Sequence, residues 1–144
     1  MFSPDHFHPM LVHFPIALLI VGFLADITGE FYKKEKCLHK MGFILQILGT
    51  LGVIAAFITG DNFTNWESFQ GATKDAFELH QDAAILTIWI AIVAVIVRIL
   101  ILMMQRFSGW TKWLTLFLYL AAVVAIGYTG LMGGNLLLNF LMGI

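Results

Sequence analysis

The chain has 144 residues, 60% of them hydrophobic and only 12% charged, with a formal net charge of −1. Soluble domains are nearer half apolar and a quarter charged, and a chain this short cannot hide so much apolar surface inside itself, so a soluble globule is excluded and lipid must cover much of it. The charge balance leaves no basic footprint for nucleic acid, and the single cysteine, Cys37, excludes an internal disulfide.

The opening segment MFSPDHFHPM carries Asp5, His6 and His8 but no lysine or arginine. A secretory signal begins with a basic region, so the first apolar stretch is expected to stay in the mature protein. That stretch covers about residues 10–29 and holds His13, Pro15 and Asp26. A second covers 41–60, a third 80–104, and a fourth starts near residue 113. Each is long enough for the roughly 20 helical residues that a crossing takes. The fourth continues almost to Ile144; the pair Gly133-Gly134 before Asn135 is a candidate break, with the remainder either lying in the interface or continuing as a tilted helix. The expected fold is all-α: one integral membrane four-helix bundle over residues 1–144, with spans of about 10–29, 41–60, 80–104 and 113–134.

Lysine and arginine set the expected orientation. The first connection carries Lys33, Lys34, Lys36 and Lys40, and the third is flanked by Arg98, Arg106 and Lys112. The second has only Lys74 against Asp61, Glu67, Asp75 and Glu78. The first and third connections are therefore expected in the cytoplasm, and both termini on the periplasmic side of the inner membrane. Phe63, Trp66, Phe69 and Phe77 in the second connection suit an amphipathic segment at the outer leaflet.

Helical spacing sorts the faces. In the third span His80, Ala84, Thr87, Ala91, Ala94 and Arg98 form one small or polar stripe, opposite Ile85, Trp89, Val93, Ile96 and Leu100. In the second span Gly42, Gln46, Gly49, Val53, Ala56 and Gly60 align, and in the fourth Gly127, Gly130 and Gly134. Small residues let membrane helices approach closely; they also leave room for a flat cofactor. Asp26 and Arg98 are the charges inside spans, at the same level. An ion pair between the first and third helices is the structural expectation, with a proton relay as the alternative use.

The other end gathers His6, His8, His13, Asp61, His80, Asp82 and Asn135, given alternating helix directions. Imidazole is a common metal ligand and an axial ligand of haem iron. His13 and His80 lie at matching levels on parallel helices and are the candidate pair for a b-type haem; His8, His13 and His80 are the candidate metal ligands, with Asp61 beside them. His8 and His13 are five apart and point to different faces of a regular helix, so joint ligation needs a bend or late helix start at Pro9 or Pro15. Any one of these histidines equally suits a plain backbone or headgroup contact.

The opening HPMLVHFPIALL, with Asp26 thirteen residues after His13, resembles the hallmark of a bacterial membrane family catalogued as domain of unknown function 2231. The likeness continues through Thr59-Gly60-Asp61, His80 and Gly133-Gly134-Asn135-Leu136, and covers nearly the whole chain. The tail departs from the family pattern: Asn135 stands where an acidic residue is usual, and Leu138 where tyrosine is. The resemblance implies a four-helix membrane domain without a settled activity. Its relatives fused to c-type cytochrome or Rieske-type modules imply electron transfer on the outer side.

Three functional readings follow. The first is a small subunit of a respiratory or redox complex, with haem b on His13 and His80. The second is a cofactor-free structural or assembly subunit in contact with lipid and other membrane subunits. The third is a transition-metal binding or transport protein. No serine or cysteine nucleophile accompanies the histidines, which disfavours a hydrolase; the chain is not expected to have a catalytic activity of its own.

Overall fold

The computed structural model describes residues 7–32, 36–63 and 71–142. Among these the secondary structure is helical: α1 (Phe7–Phe31), α2 (Lys36–Phe63), α3 (Ala72–Met103) and α4 (Trp110–Met142). All four are long and apolar enough to cross a membrane. α1 packs chiefly on α2 and α3 on α4, giving two antiparallel hairpins that meet along α1·α4 and α2·α3. The α1–α2 and α3–α4 connections share one end, here the basic end. The start of α1, the α2–α3 connection and the end of α4 share the other.

Each helix overruns the expected span by up to two turns. A helix keeps its backbone bonded internally, so it can leave the hydrocarbon without penalty. The first turns of α3 carry Lys74 and Glu78 as an i,i+4 pair at 3.8 Å, with both side chains exposed. Two open alternatives are decided. α1 runs unbroken through Pro9 and Pro15, with no late start; Pro9 falls in the first turn, where its missing N–H costs nothing. α4 continues through Gly133-Gly134 to Met142. A break inside lipid would expose backbone groups that only a continuous helix satisfies.

The α1–α2 seam is built on glycine. A Cβ on Gly52 would lie 3.0 Å from Pro15 Cβ, one on Gly49 2.7 Å from Leu19 Cγ, and one on Gly42 2.8 Å from the Gly22 carbonyl oxygen. A Cβ on Gly29 would meet the His39 ring at 3.1 Å. These two helices stay this close along about four turns. The small-residue stripe of the second span is therefore a packing face, with Gly42, Gln46, Gly49, Val53 and Ala56 all buried. The stripe of the third span is buried too: Thr87, Ala91, Ala94 and Arg98 have at most 2% exposure, while Trp89, Val93, Ile96 and Leu100 face outward.

In α4 the expected glycine face packs only in part: a Cβ on Gly130 would lie 3.2 Å from Ile16 Cδ1 of α1. Thr115, Leu116, Tyr119, Ala122 and Ile126 turn inward, whereas Gly130 and Gly134 are exposed, and a Cβ on Gly127 or Gly134 would meet nothing within 4 Å. The bundle centre is apolar, made by Leu19, Val53, Tyr119 and Ile126 with Ile16, Phe23, Ile88 and Val123 against them. Towards the N-terminal end, Thr87 and Thr129 hydroxyls join α3 to α4 at 2.8 Å.

A buried ion network as the candidate functional site

Asp26 lies five residues before the end of α1 and Arg98 five before the end of α3, about 7 Å inside each helix terminus at 1.5 Å per residue. Both are 1% exposed. The Arg98 guanidinium grips the Asp26 carboxylate in two-pronged fashion: Nη1 donates to Oδ2 and Nη2 to Oδ1 at 3.0 Å. The expected ion pair between the first and third helices is formed. Paired, hydrogen-bonded charges are the form in which burial is tolerable.

Arg98 has further partners. Nη1 also donates to Gln46 Oε1 at 3.1 Å, and Nη2 to the His39 carbonyl oxygen at 3.2 Å. Its guanidinium carbon stands 5.2 Å from the Phe43 ring centroid and 5.5 Å from that of Phe107, in cation–π range. Phe107 reaches this position from the α3–α4 connection, which turns sharply at Gln105 and Gly109, both with positive φ. Its ring also stands edge-on to His39, with centroids 6.1 Å apart.

His39, in the first turns of α2, links the pair to the surface. Its Nδ1 lies 2.8 Å from Asp26 Oδ1 and its Nε2 3.3 Å from Glu30 Oε1. Glu30 is one turn beyond Asp26 on α1, and its other carboxylate oxygen pairs with Lys112 Nζ of α4. Asp26 and Glu30 from α1, His39 and Gln46 from α2, Arg98 from α3 and Lys112 from α4 thus form one connected set. Its charged inner part is sealed, and its outer part, His39 and Lys112, is about one quarter exposed. Tyr119 closes the inner side, its hydroxyl 3.5 Å from the Gly42 carbonyl.

The histidine end is organised differently. His13 is exposed. The His80 ring is half-buried against α4, where a Cβ on Gly133 would lie 3.0 Å from it. His13 and His80 stand on α1 and α3, which are not among the closely packed helix pairs. Asp82 and Asn135 are exposed. His6 and the side chains of His8 and Asp61 lie outside the described residues. Among the described residues no three histidine, cysteine, aspartate or glutamate side chains come together as a metal group. The buried polar centre therefore sits at the basic end, opposite to where the histidine count points.

Sequence reasoning paired Asp26 with Arg98 but passed over Glu30, His39, Gln46, Lys112 and Phe107. The signal was present: Glu30 follows Asp26 by one helical turn, Gln46 is a lone amide in an apolar span, and His39 and Lys112 begin the two helices that start at that level.

Fold and site together define a multi-pass helical membrane protein organised around an internal ion network. Residues 4–144 match the family described as "Predicted membrane protein (DUF2231)", and the chain belongs to that family. No curated protein and no solved structure matches the chain.

Proposed function

We propose that the protein is a structural subunit of a membrane assembly, and that its working part is the ion network rather than the histidine end. One observation carries this reading: a single arginine of α3 is clamped to an aspartate of α1, a glutamine and a carbonyl of α2, and through His39 and Glu30 to a lysine of α4. The network ties one hairpin to the other where small residues alone give little directional hold. With the lysine- and arginine-rich connections inside, the network faces the cytoplasm of a bacterial inner membrane, and both termini face the periplasm.

Thermal unfolding of the purified protein in nanodiscs tests this. Asp26→Asn or Arg98→Leu leaves a buried charge without its partner, at a cost of about 3–5 kcal/mol. The double variant Asp26→Leu with Arg98→Leu should recover most of that loss, because an apolar pair of similar size replaces a buried ion pair at little cost. Native gels of solubilised membranes should show the single variants missing from any larger assembly. Single variants that melt like the native protein refute a structural role. The link to electron transfer, with haem b on His13 and His80, has a separate readout. A Soret band that shifts on reduction and disappears in His13→Ala and His80→Ala would replace the structural reading with a redox one.

A further inference from the structure

Asp26 is held by a two-pronged arginine and Glu30 by a lysine, so both carboxylates are ionised and can only accept hydrogen bonds. His39 sits between them, with Nδ1 towards Asp26 and Nε2 towards Glu30. Its Nδ1 must therefore carry hydrogen, to donate to Asp26 across 2.8 Å. In the neutral ring Nε2 would then point a lone pair at Glu30 Oε1. That oxygen belongs to a side chain 8% exposed, and it receives no hydrogen bond from the described residues. A second ring proton is the donor that this carboxylate oxygen lacks.

We propose that His39 is a reversible proton-binding site opening on the basic end of the bundle. A proton taken from water adds to Nε2, converts imidazole to imidazolium, and closes the contact to Glu30. Loss of that proton to water leaves lone pair against carboxylate and loosens the start of α2 from α1. The other charges facing the ring are balanced: Asp26 and Glu30 from α1, Arg98 from α3 and Lys112 from α4 sum to zero. The added proton therefore makes the cluster singly positive. Phe107 from the α3–α4 connection and Gly29 of α1 both pack against the ring, and Lys40 beside it on α2 is exposed. Imidazole is the side chain that ordinarily changes charge between pH 5 and 8, and a quarter of this one is open to solvent.

This inference rests on the network as a structural tie, but it fails separately from it, because melting of the Asp26 and Arg98 variants does not depend on the His39 proton. The full chain in nanodiscs carries one thiol, Cys37, exposed and two residues before His39. A nitroxide on Cys37 reports the start of α2 between pH 5 and 9, while nitrogen-15 shifts of the histidine rings, assigned by loss of one signal in His39→Gln, report the proton. The expected result is a restricted label at low pH and a mobile one at high pH, the change following titration of His39. In His39→Gln the label should not respond to pH. In Glu30→Gln His39 should still titrate while the label response disappears, which keeps the inference testable if His39→Gln folds poorly. A ring with one protonation state throughout the range overturns it, as does a label response that survives in His39→Gln or is missing in the native protein.

Discussion

The tightest point of the structure gives a sharp test of its packing. A methyl group on Gly42 would lie 2.8 Å from the Gly22 carbonyl oxygen and 2.9 Å from Asp26 Cβ. Non-bonded carbon atoms rest at about 3.5–4.0 Å, so Gly42→Ala forces α1 and α2 apart by roughly 0.6 Å or more. Neither obstacle is the far end of a flexible side chain, so no rotamer change relieves the contact. Overpacking of this kind costs about 1–3 kcal/mol. The displaced Asp26 also loses register with Arg98, which favours the upper half of that range. Alanine offsets part of the loss, being about 0.8–1.0 kcal/mol better than glycine inside a helix. The control is Gly127→Ala, at which an added methyl meets nothing within 4 Å; it gains the propensity alone. The two variants should therefore differ by about 2–3 kcal/mol in opposite directions from the native protein. Thermal unfolding in detergent, followed by far-ultraviolet circular dichroism, reads this directly. Equal melting of Gly42→Ala and Gly127→Ala would refute the close α1–α2 contact.

The proposed orientation has its own check at Cys37. In intact cells a membrane-impermeant maleimide should leave this exposed thiol unlabelled, and should label it once the inner membrane is opened; labelling of intact cells would reverse the assignment of sides. Thr87→Val removes the hydroxyl pair with Thr129 and should lower stability by about 0.6 kcal/mol, within a ceiling of about 1.7 kcal/mol for such contacts between membrane helices. A loss of several kcal/mol in the same unfolding assay would mean that this pair belongs to a larger network.

Four spans were legible because hydropathy alone marks a membrane helix, and the buried stripes of α2 and α3 because spacing fixes a face once the helix is known. Gly42, Gln46 and Gly49 follow from that rule, as do Thr87, Ala91, Ala94 and Arg98. The ends were not legible, since a helix does not stop where the hydrocarbon does. α4 misled for another reason. Its glycines lie on a face, but close packing requires a partner helix opposite, and sequence spacing does not say where the partner is. The inner face instead carries Tyr119, whose ring meets Phe23 edge-on at 5.7 Å in the space that Gly22 opens. The candidate site was half legible. A charge inside a span calls for a partner, which found Asp26 and Arg98. His39 stood among lysines in a connection, apart from the other four histidines, and was passed over, although its ring packs on Gly29.

The interior argues against a continuous polar route across this bundle. At the basic end lie Asp26, Arg98 and Gln46, with Thr50 one turn further inward on α2. Towards the other end lie Thr87 and Thr129. Between Thr50 and the threonine pair the helices fill the axis with Leu19, Val53 and Ile126, and Ala91 and Ala94 of α3 close on it with at most 1% exposure. Among the described residues the polar chain that leads from Asp26 to the surface runs through His39, Glu30 and Lys112. The same geometry that makes the network a tie between hairpins thus makes it responsive to the medium at one membrane face, and His39 is the member whose charge can change without breaking the Asp26–Arg98 pair.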